Sequence, residues 1–376
     1  VAVAAHRLNK PVRLSLERDV DMQITGQRHA FVAKYKAAAM PGADGAPPRL
    51  LALDAELFSN GGCALDLSGP VMDRAIFHID NCYRWPSLRA RGRVCRTHQA
   101  PHTAFRGFGG PQGMMVAEAI MDHLCAALGP ATDPVAFREA NLYSPGDETH
   151  FGQVLPAGEW NVPRAWRELC ESAEVRARRA AVADFNAQHK WRKRGLAIIP
   201  TKFGINYTAK FMNQGGALVH LYTDGTLLVT HGGTEMGQGL HTKVCQVVAY
   251  AFGVPLSAVH VAETASDKVA NTIPTAASMS ADMYGMAALD ACDQILKRLK
   301  PVRAKLGADA TLAAVATAAH MDRVDLSAHG FFVVDDARCG FNWDLDPVPS
   351  KPGRPGEPDN ALRGFPFNYF TQGVGC

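Results

Sequence analysis

Thr103-Ala104-Phe105-Arg106-Gly107-Phe108-Gly109-Gly110-Pro111-Gln112-Gly113 places four glycines within seven residues and interleaves them with two rings and a cation. A core segment would not spend so many positions without a side chain beside Phe105, Arg106 and Phe108. Glycine reaches backbone conformations closed to other residues and lets a chain approach a ligand closely. A helical pattern, Met114 to Leu128, follows at once, so the amides of this turn lie near a helix N-terminus, where anions are favoured. Two readings fit. The turn either presents backbone N–H groups, one ring and one guanidinium to a bulky polar ligand, or it is a packed connection between strand and helix. Gly232-Gly233-Thr234-Glu235-Met236-Gly237-Gln238-Gly239 repeats the arrangement of strand, glycine-rich loop and helix.

Working outward from the first turn, Pro11–Glu17, Phe31–Ala37 and Leu50–Leu57 alternate as strands do, with Pro41–Gly45 as the turn between the last two. Leu88–Arg96 is a further strand with charged alternation. The helix after the glycine turn is expected to set Met115, Ala119, Met121 and Leu124 on one face and to stop at Gly129-Pro130, before a short helix over Pro134–Leu142. Ser144–Asn161, rich in Gly, Pro and polar residues, reads as a linker, and Ala165–Lys190 as one long helix. Beyond it come a strand over Gly195–Pro200 and a hairpin over Ala217–Thr230 that turns at Asp224-Gly225. The helix opened by the second glycine loop places Leu240, Val244, Val247, Val248 and Ala251 on one face. A strand at Ala258–Glu263, a helix from Thr272–Ser280 to about Leu299, another over Thr311–Ala319 and a strand at Phe331–Val334 complete the pattern, with Pro347–Pro358 as loop. Strands in groups with long helices packed on them make the fold class α+β. The expected division is residues 1–145, then a linker and long helix at 146–190, then residues 191–376.

Composition bounds the function. The 376 residues are 47% hydrophobic and 20% charged with a net charge of +3, ordinary globular values too weakly basic for a nucleic-acid partner. Nine cysteines without a C-x-x-C pair suit reduced thiols in the cytoplasm better than a disulfide framework. No stretch reaches the length needed to span a bilayer. The chain opens without Met and stops without a polar tail, so both ends read as cut from something longer.

Neither glycine loop matches a nucleotide fingerprint: Gly107-x-Gly109 lacks the third glycine, and no G-K-[ST] is present. A third loop, Pro274-Thr275-Ala276-Ala277-Ser278-Met279-Ser280, gathers small and hydroxyl residues where a helix begins. Thr275 or Ser278 as an ordinary helix cap explains it. Three such helix starts could also cradle one large anionic cofactor with mostly main-chain donors. His98 with His102, and His78 with Cys82, lack the matched partners of a metal site. A metal acting here would be held without protein side chains.

Met72-Asp73-Arg74-Ala75-Ile76-Phe77-His78-Ile79-Asp80-Asn81-Cys82-Tyr83, then Thr103–Gly113, Gly233–Gly239 and Pro274–Ser280, resemble the molybdenum-cofactor portion of the xanthine dehydrogenase family. The resemblance runs in order from Pro11 to Cys376. It implies two molybdopterin-binding lobes of mixed sheets and long helices, and a pterin-held molybdenum with no side chain bonded to the metal. Through it, the backbone of Arg106 and Ala277 is expected close to the metal. Gly107, Gly237, Gln238, Ser278 and Ser280 become cofactor contacts. Phe108 and Tyr207 become the rings on either side of a purine substrate, and Thr208 a hydrogen-bond partner for it.

Arg74 matches the arginine that binds a purine carbonyl oxygen. The family's reaction hydroxylates an electron-poor ring carbon, so negative charge grows on the heterocycle and a fixed guanidinium favours the transition state. Related aldehyde oxidases generally lack it, so Arg74 points to hypoxanthine and xanthine, oxidised to urate. The competing account pairs Arg74 with Asp66, Asp73 or Asp80 as structure. Two positions depart from the family: Tyr207 stands where Phe is usual and its hydroxyl needs a partner, and Lys210 adds a cation expected to face solvent. The resemblance also implies a homodimeric whole enzyme with 2Fe–2S clusters and FAD on other domains or subunits, passing electrons to NAD. It puts the general-base glutamate beyond Cys376, and a glycine-rich loop and a second substrate glutamate before Val1, so this stretch alone is expected to be inactive. An aldehyde- or N-heterocycle-oxidising relative and a truncated cofactor- or partner-binding chain are the alternatives.

Overall fold

The computed structural model describes residues 1–43, 45–343 and 364–376. The chain divides into two compact units, one of Val1–Phe203 with Gln372–Cys376, the other of Gly204–Thr371. Residues 146–190, expected to lie between two lobes, therefore fall within the first unit.

The first unit runs α1 (Ala2–Leu8), α2 (Arg18–Ile24), β1 (Phe31–Met40), β2 (Arg49–Gly62), α3 (Ser68–Phe77), β3 (Ser87–Arg96), α4 (Gly110–Leu128), α5 (Pro134–Ala140), α6 (Val162–Ser172) and α7 (Val175–Gln188), and takes in β4 (Ile199–Ile205) as far as Phe203. Its sheet has the order β1-β2-β3. β1 pairs antiparallel with β2, and β3 pairs parallel with β2 after the crossover through α3. Alternation along β2 buries Leu53, Ala55 and Leu57 on one face and leaves Asp54 and Glu56 on the other, beside Arg89 and Arg93 of β3. Such solvated ion pairs contribute little stability.

Helix α4 starts at Gly110, earlier than the apolar pattern suggests, with Pro111 in its first turn and Gly109 at φ 94° as its cap. It buries Gln112, Gly113, Ala117, Ile120 and Met121, while Met115, placed on the core face by its hydrophobicity, is 74% exposed. Small residues face inward because α4 crosses α3 at backbone distance. A Cβ on Gly109 would lie 2.0 Å from the Val71 carbonyl oxygen, and one on Gly113 2.3 Å from that of Ala75. That crossing sets the glycine turn against the helix that carries Arg74.

Three further expectations are corrected. Residues 11–17 are not a strand: Leu14 and Leu16 are exposed, and no strand among the described residues pairs with them. Residues 144–161 form a packed loop rather than a linker. Gly146 N donates to Leu155 O (2.8 Å), and Phe151, Leu155 and Trp160 are buried, so the Gly and Pro content serves tight reversals. The long helix over 165–190 is broken between α6 and α7, where Glu174 takes φ 48° with no glycine or proline to announce the stop.

The second unit holds β5 (Gln214–Leu221), β6 (Leu227–His231), α8 (Leu240–Phe252), β7 (Val259–Val261), α9 (Ser280–Leu306), α10 (Leu312–Met321), β8 (Ser327–Val333) and most of the way to β9 (Tyr369–Gly375). Its sheet order is β7-β6-β5-β8. The β5–β6 hairpin turns at Asp224-Gly225 as expected, with Gly225 at φ 86°. β7 is parallel to β6 after the crossover through α8. Val219, Val229, Val244, Val248, Ala287, Ala291, Ile295 and Val315 form the core between sheet and helices. Gly330 lets α9 lie directly on β8, since a Cβ there would come 2.0 Å from Ala287 O. β4 pairs with β9 as a separate two-stranded sheet. The Pro347–Pro358 loop lies outside the described residues. Among the described residues no helix is long and apolar enough to cross a membrane.

Candidate functional site

Arg74, Arg106, Gly107 and Phe108 belong to the first unit. The glycine turn is a run of left-handed backbone, with Gly107 at φ 94°, Phe108 at 49° and Gly109 at 94°. Phe108 N donates to Phe105 O (2.7 Å) and Gly110 N to Gly107 O (2.9 Å), two consecutive tight turns. A phenylalanine in this region is strained, a condition that marks constrained functional turns. Arg28 holds the turn from 78 residues away: its Nη2 donates to Arg106 O (2.6 Å) and its guanidinium lies 4.5 Å from the Phe105 ring centroid. Nothing local in the sequence marks Arg28 for this role.

Arg74 lies in the last turn of α3, 4% exposed, with its guanidinium carbon 5.3 Å from the Phe203 ring centroid. Burial lowers its pKa to about 10, so it stays charged at neutral pH. Its carbonyl accepts from His78 Nδ1 (2.7 Å), which fixes that ring's tautomer, and burial, then Lys202 and Arg74, hold His78 neutral, well below the ordinary histidine range. Asp80 is committed elsewhere. Its Oδ1 is 2.7 Å from Lys202 Nζ, both side chains fully buried, and its Oδ2 accepts from Tyr143 Oη (2.9 Å). Burial works against the Asp80 carboxylate, but Lys202 and His150 outweigh it and bring the pKa down to about 2.

Tyr207, Thr208, Gly237, Gln238, Ala277, Ser278 and Ser280 belong to the second unit. Tyr207 is buried and clasped through its backbone by Asn213, whose Oδ1 accepts from Tyr207 N (3.0 Å) and whose Nδ2 donates to Tyr207 O (2.9 Å). Its hydroxyl donates to Pro274 O and accepts from Ala276 N (3.0 Å), so the added oxygen finds its partners in the third loop. Burial pushes its pKa up to about 12. Thr208 follows, half-buried, and Lys210 is exposed and paired with Asp336 (2.9 Å).

The second glycine loop differs from expectation in what fills it. The Glu235 carboxylate accepts from Gly237 N (2.8 Å), Gly239 N (3.0 Å) and His241 N (3.1 Å), so those amides already have an anion. These donations hold its pKa down to about 2. Gln238 closes on its own loop, accepting from Met236 N (2.6 Å) and donating to Thr234 O (2.9 Å). Behind the loop, His231 Nδ1 accepts from Gly233 N (3.1 Å), so its proton sits on Nε2, which faces His241 Nδ1 at 3.0 Å. Burial lowers His231 to about 4. A carboxylate two residues before Gly237 was the available signal for Glu235.

In the third loop neither Thr275 nor Ser278 caps α9, whose first position follows Met279 without a side-chain cap. Thr275 Oγ1 instead accepts from Thr234 N (2.8 Å), tying this loop to the glycine loop. Ala277 and Ser278 take φ 55° and 58°, two consecutive left-handed residues without a glycine. Ser280 Oγ is buried with no hydrogen-bond partner among the described residues. Among those residues no group of three or more His, Cys, Asp or Glu could hold a metal ion.

Two models of the molybdopterin cofactor-binding domain match this chain, one over residues 1–142 and one over 168–376. The xanthine dehydrogenase of Oryza sativa subsp. japonica is 49% identical over 373 residues, which cover 99% of this chain and 25% of that protein. The xanthine dehydrogenase/oxidase of Felis catus is 46% identical over 376 residues, 100% of this chain and 26% of that protein. The chain spans about a quarter of the length of these relatives. The solved aldehyde oxidoreductase of Desulfovibrio gigas superposes with a TM-score of 0.76 at 23% identity, over 99% of this chain and 37% of that one, and shares the fold.

Proposed function

From this chain's membership of the molybdopterin cofactor-binding family, to which the xanthine dehydrogenases similar to it belong, we propose that it forms the substrate- and cofactor-binding part of a xanthine dehydrogenase. The whole protein oxidises hypoxanthine and xanthine to urate and passes electrons through 2Fe–2S clusters and FAD, carried elsewhere, to NAD. It works in the cytoplasm as a homodimer; nine free thiols support a reducing compartment.

Features of the second unit fit the cofactor. The buried, unpartnered Ser280 Oγ offers a hydrogen bond. A Cβ on Gly237 or Gly239 would meet nothing within 4 Å, and the left-handed pair Ala277 and Ser278 is a strain typical of ligand-gripping loops. Ser278 and Ser280 hold the pterin and its phosphate by side chains, and Gln238 by the amide hydrogen its own loop leaves over, while Arg106, Gly107, Gly237 and Ala277 approach through the backbone. Because Glu235 already occupies the Gly237 amide, that glycine contributes space rather than a donor. The bound molybdenum group supplies oxygen transfer and a two-electron sink at an electron-poor carbon.

This chain's own residues bind and polarise the purine. Phe108 and Tyr207 take its faces, Thr208 bonds its edge, and Arg74 meets the carbonyl oxygen on which charge grows. The observation that carries the purine reading is the buried, still-charged Arg74 guanidinium, fixed on an aromatic face in the unit that also holds the glycine turn. In the whole protein, Arg74→Met is expected to lower purine kcat/KM by roughly 100-fold or more, the usual effect of removing a transition-state charge partner, and to leave aldehyde oxidation within about threefold. Equal losses on both substrates would defeat the purine assignment.

A further inference from the structure

Phe203, on β4, touches three parts of the first unit with one ring. Its centroid is 5.3 Å from the Arg74 guanidinium carbon and 5.0 Å from the His78 ring centroid at an interplanar angle of 32°. A Cβ placed on Gly110 would lie 2.6 Å from Phe203 Cε2, so the ring also packs on the first residue of α4, two positions after Phe108. The preceding residue, Lys202, is fully buried and bound to Asp80 (2.7 Å), only two residues after His78. Asn81 Nδ2 donates to Pro200 O (2.9 Å) and fastens the same strand two residues before Lys202.

We propose that Phe203 is a specificity-positioning residue: its ring holds the Arg74 guanidinium in the orientation a purine needs, and the Lys202–Asp80 pair and Asn81 lock the strand that carries it. The inference rests on Arg74 as the purine-binding residue and adds what aims it. A guanidinium on a flexible stem loses rotamer entropy whenever it is fixed on a ligand. The negative face of an aromatic ring within about 6 Å attracts it beforehand, so less is lost on binding. The His78 contact adds a second constraint, because that ring is bonded to Arg74's own carbonyl. Lys202 and Asp80 act on Arg74 only by fixing the backbone of β4 beneath it.

The test is a double-mutant cycle in the whole protein, with Phe203→Leu made alone and in the Arg74→Met background, and Phe203→Tyr as the conservative variant. Molybdenum content verifies that each variant is loaded, and calorimetric titration with urate reads binding without turnover. Phe203→Leu is expected to lower purine kcat/KM about tenfold, mainly through KM, and to weaken urate binding by a similar factor, in line with the worth of a buried cation–π contact. Aldehyde turnover stays unchanged, Phe203→Tyr recovers to within about twofold, and Phe203→Leu has no further effect once Arg74 is Met.

Equal losses on both substrates, or equal losses in both backgrounds, would reduce Phe203 to a packing residue and overturn the inference. Wild-type urate affinity in Phe203→Leu would do the same. If Phe203→Leu fails to load, Phe203→Tyr and its urate affinity decide: affinity at or above wild type sustains the role, and a tenfold loss with the ring still present defeats it. If Arg74→Met itself leaves purine turnover intact, the purine assignment falls first. A crippled Arg74→Met beside a silent Phe203→Leu overturns only the present inference.

Discussion

The Tyr207 hydroxyl shows what one atom does at this site. It bridges Pro274 O and Ala276 N, immediately before the two left-handed residues Ala277 and Ser278. Tyr207→Phe removes both bonds while the ring stays in place, and is expected to cost about 1–2 kcal/mol in chemical denaturation. Amide exchange at Ala276 and Ala277 should quicken in the same variant. Unchanged exchange would mean that Thr275, through its bond from Thr234 N, holds the loop alone. A lone hydroxyl on an aromatic residue can be recognised in a sequence as needing a partner. Which partner it takes cannot be, because Tyr207 and Ala276 are 69 residues apart. Asn213, Arg28 and Lys202 were silent for the same reason: each is an ordinary polar residue until the fold supplies its counterpart.

At the scale of elements, the crossing of α3 and α4 decides how the glycine turn is presented. Gly113→Ala would force a Cβ to 2.3 Å from Ala75 O, a backbone atom that cannot swing aside. The expected destabilisation is roughly 2–3 kcal/mol, read as a lower urea midpoint. Gly69→Ala, in the first turn of α3 with nothing within 4 Å of the new carbon, is expected to stabilise by up to about 1 kcal/mol through helix propensity. Opposite signs for two identical changes would establish the close crossing. The strands β1, β2, β3 and the β5–β6 hairpin were legible from alternation and turn chemistry, as were the helices after each glycine loop. The inward face of α4 was not. Hydrophobicity assigned it to Met115, whereas close helix packing selects small residues, and that depends on the neighbour.

Across the molecule, burial lowers the pKa of three histidines in the folded state: His29 and His78 in the first unit and His231, lowered to about 4, in the second. Their folded pKa values lie below the unfolded value near 6.5, so the unfolded chain binds more protons at mildly acid pH. Their contribution is fully present above about pH 6.5 and is lost as pH falls toward the folded values. Asp80 and Glu235, both near 2 when folded, add losses only below about pH 4. Urea unfolding at pH 5.5 is therefore expected to take up protons, and His231→Phe should lower that uptake by about one. An uptake near zero would contradict the lowered histidine pKa values. The α+β pattern, the glycine loops at helix starts and the motifs that mark a molybdopterin-binding chain are all legible along the chain, because periodicity, turn chemistry and contiguous motifs are local properties. Tertiary contacts alone put Glu235 on the second loop's amides, Phe203 under Arg74 and Lys202 against Asp80 inside the core. Burial and partnership are properties of distant residues brought together, and no stretch of chain contains them alone.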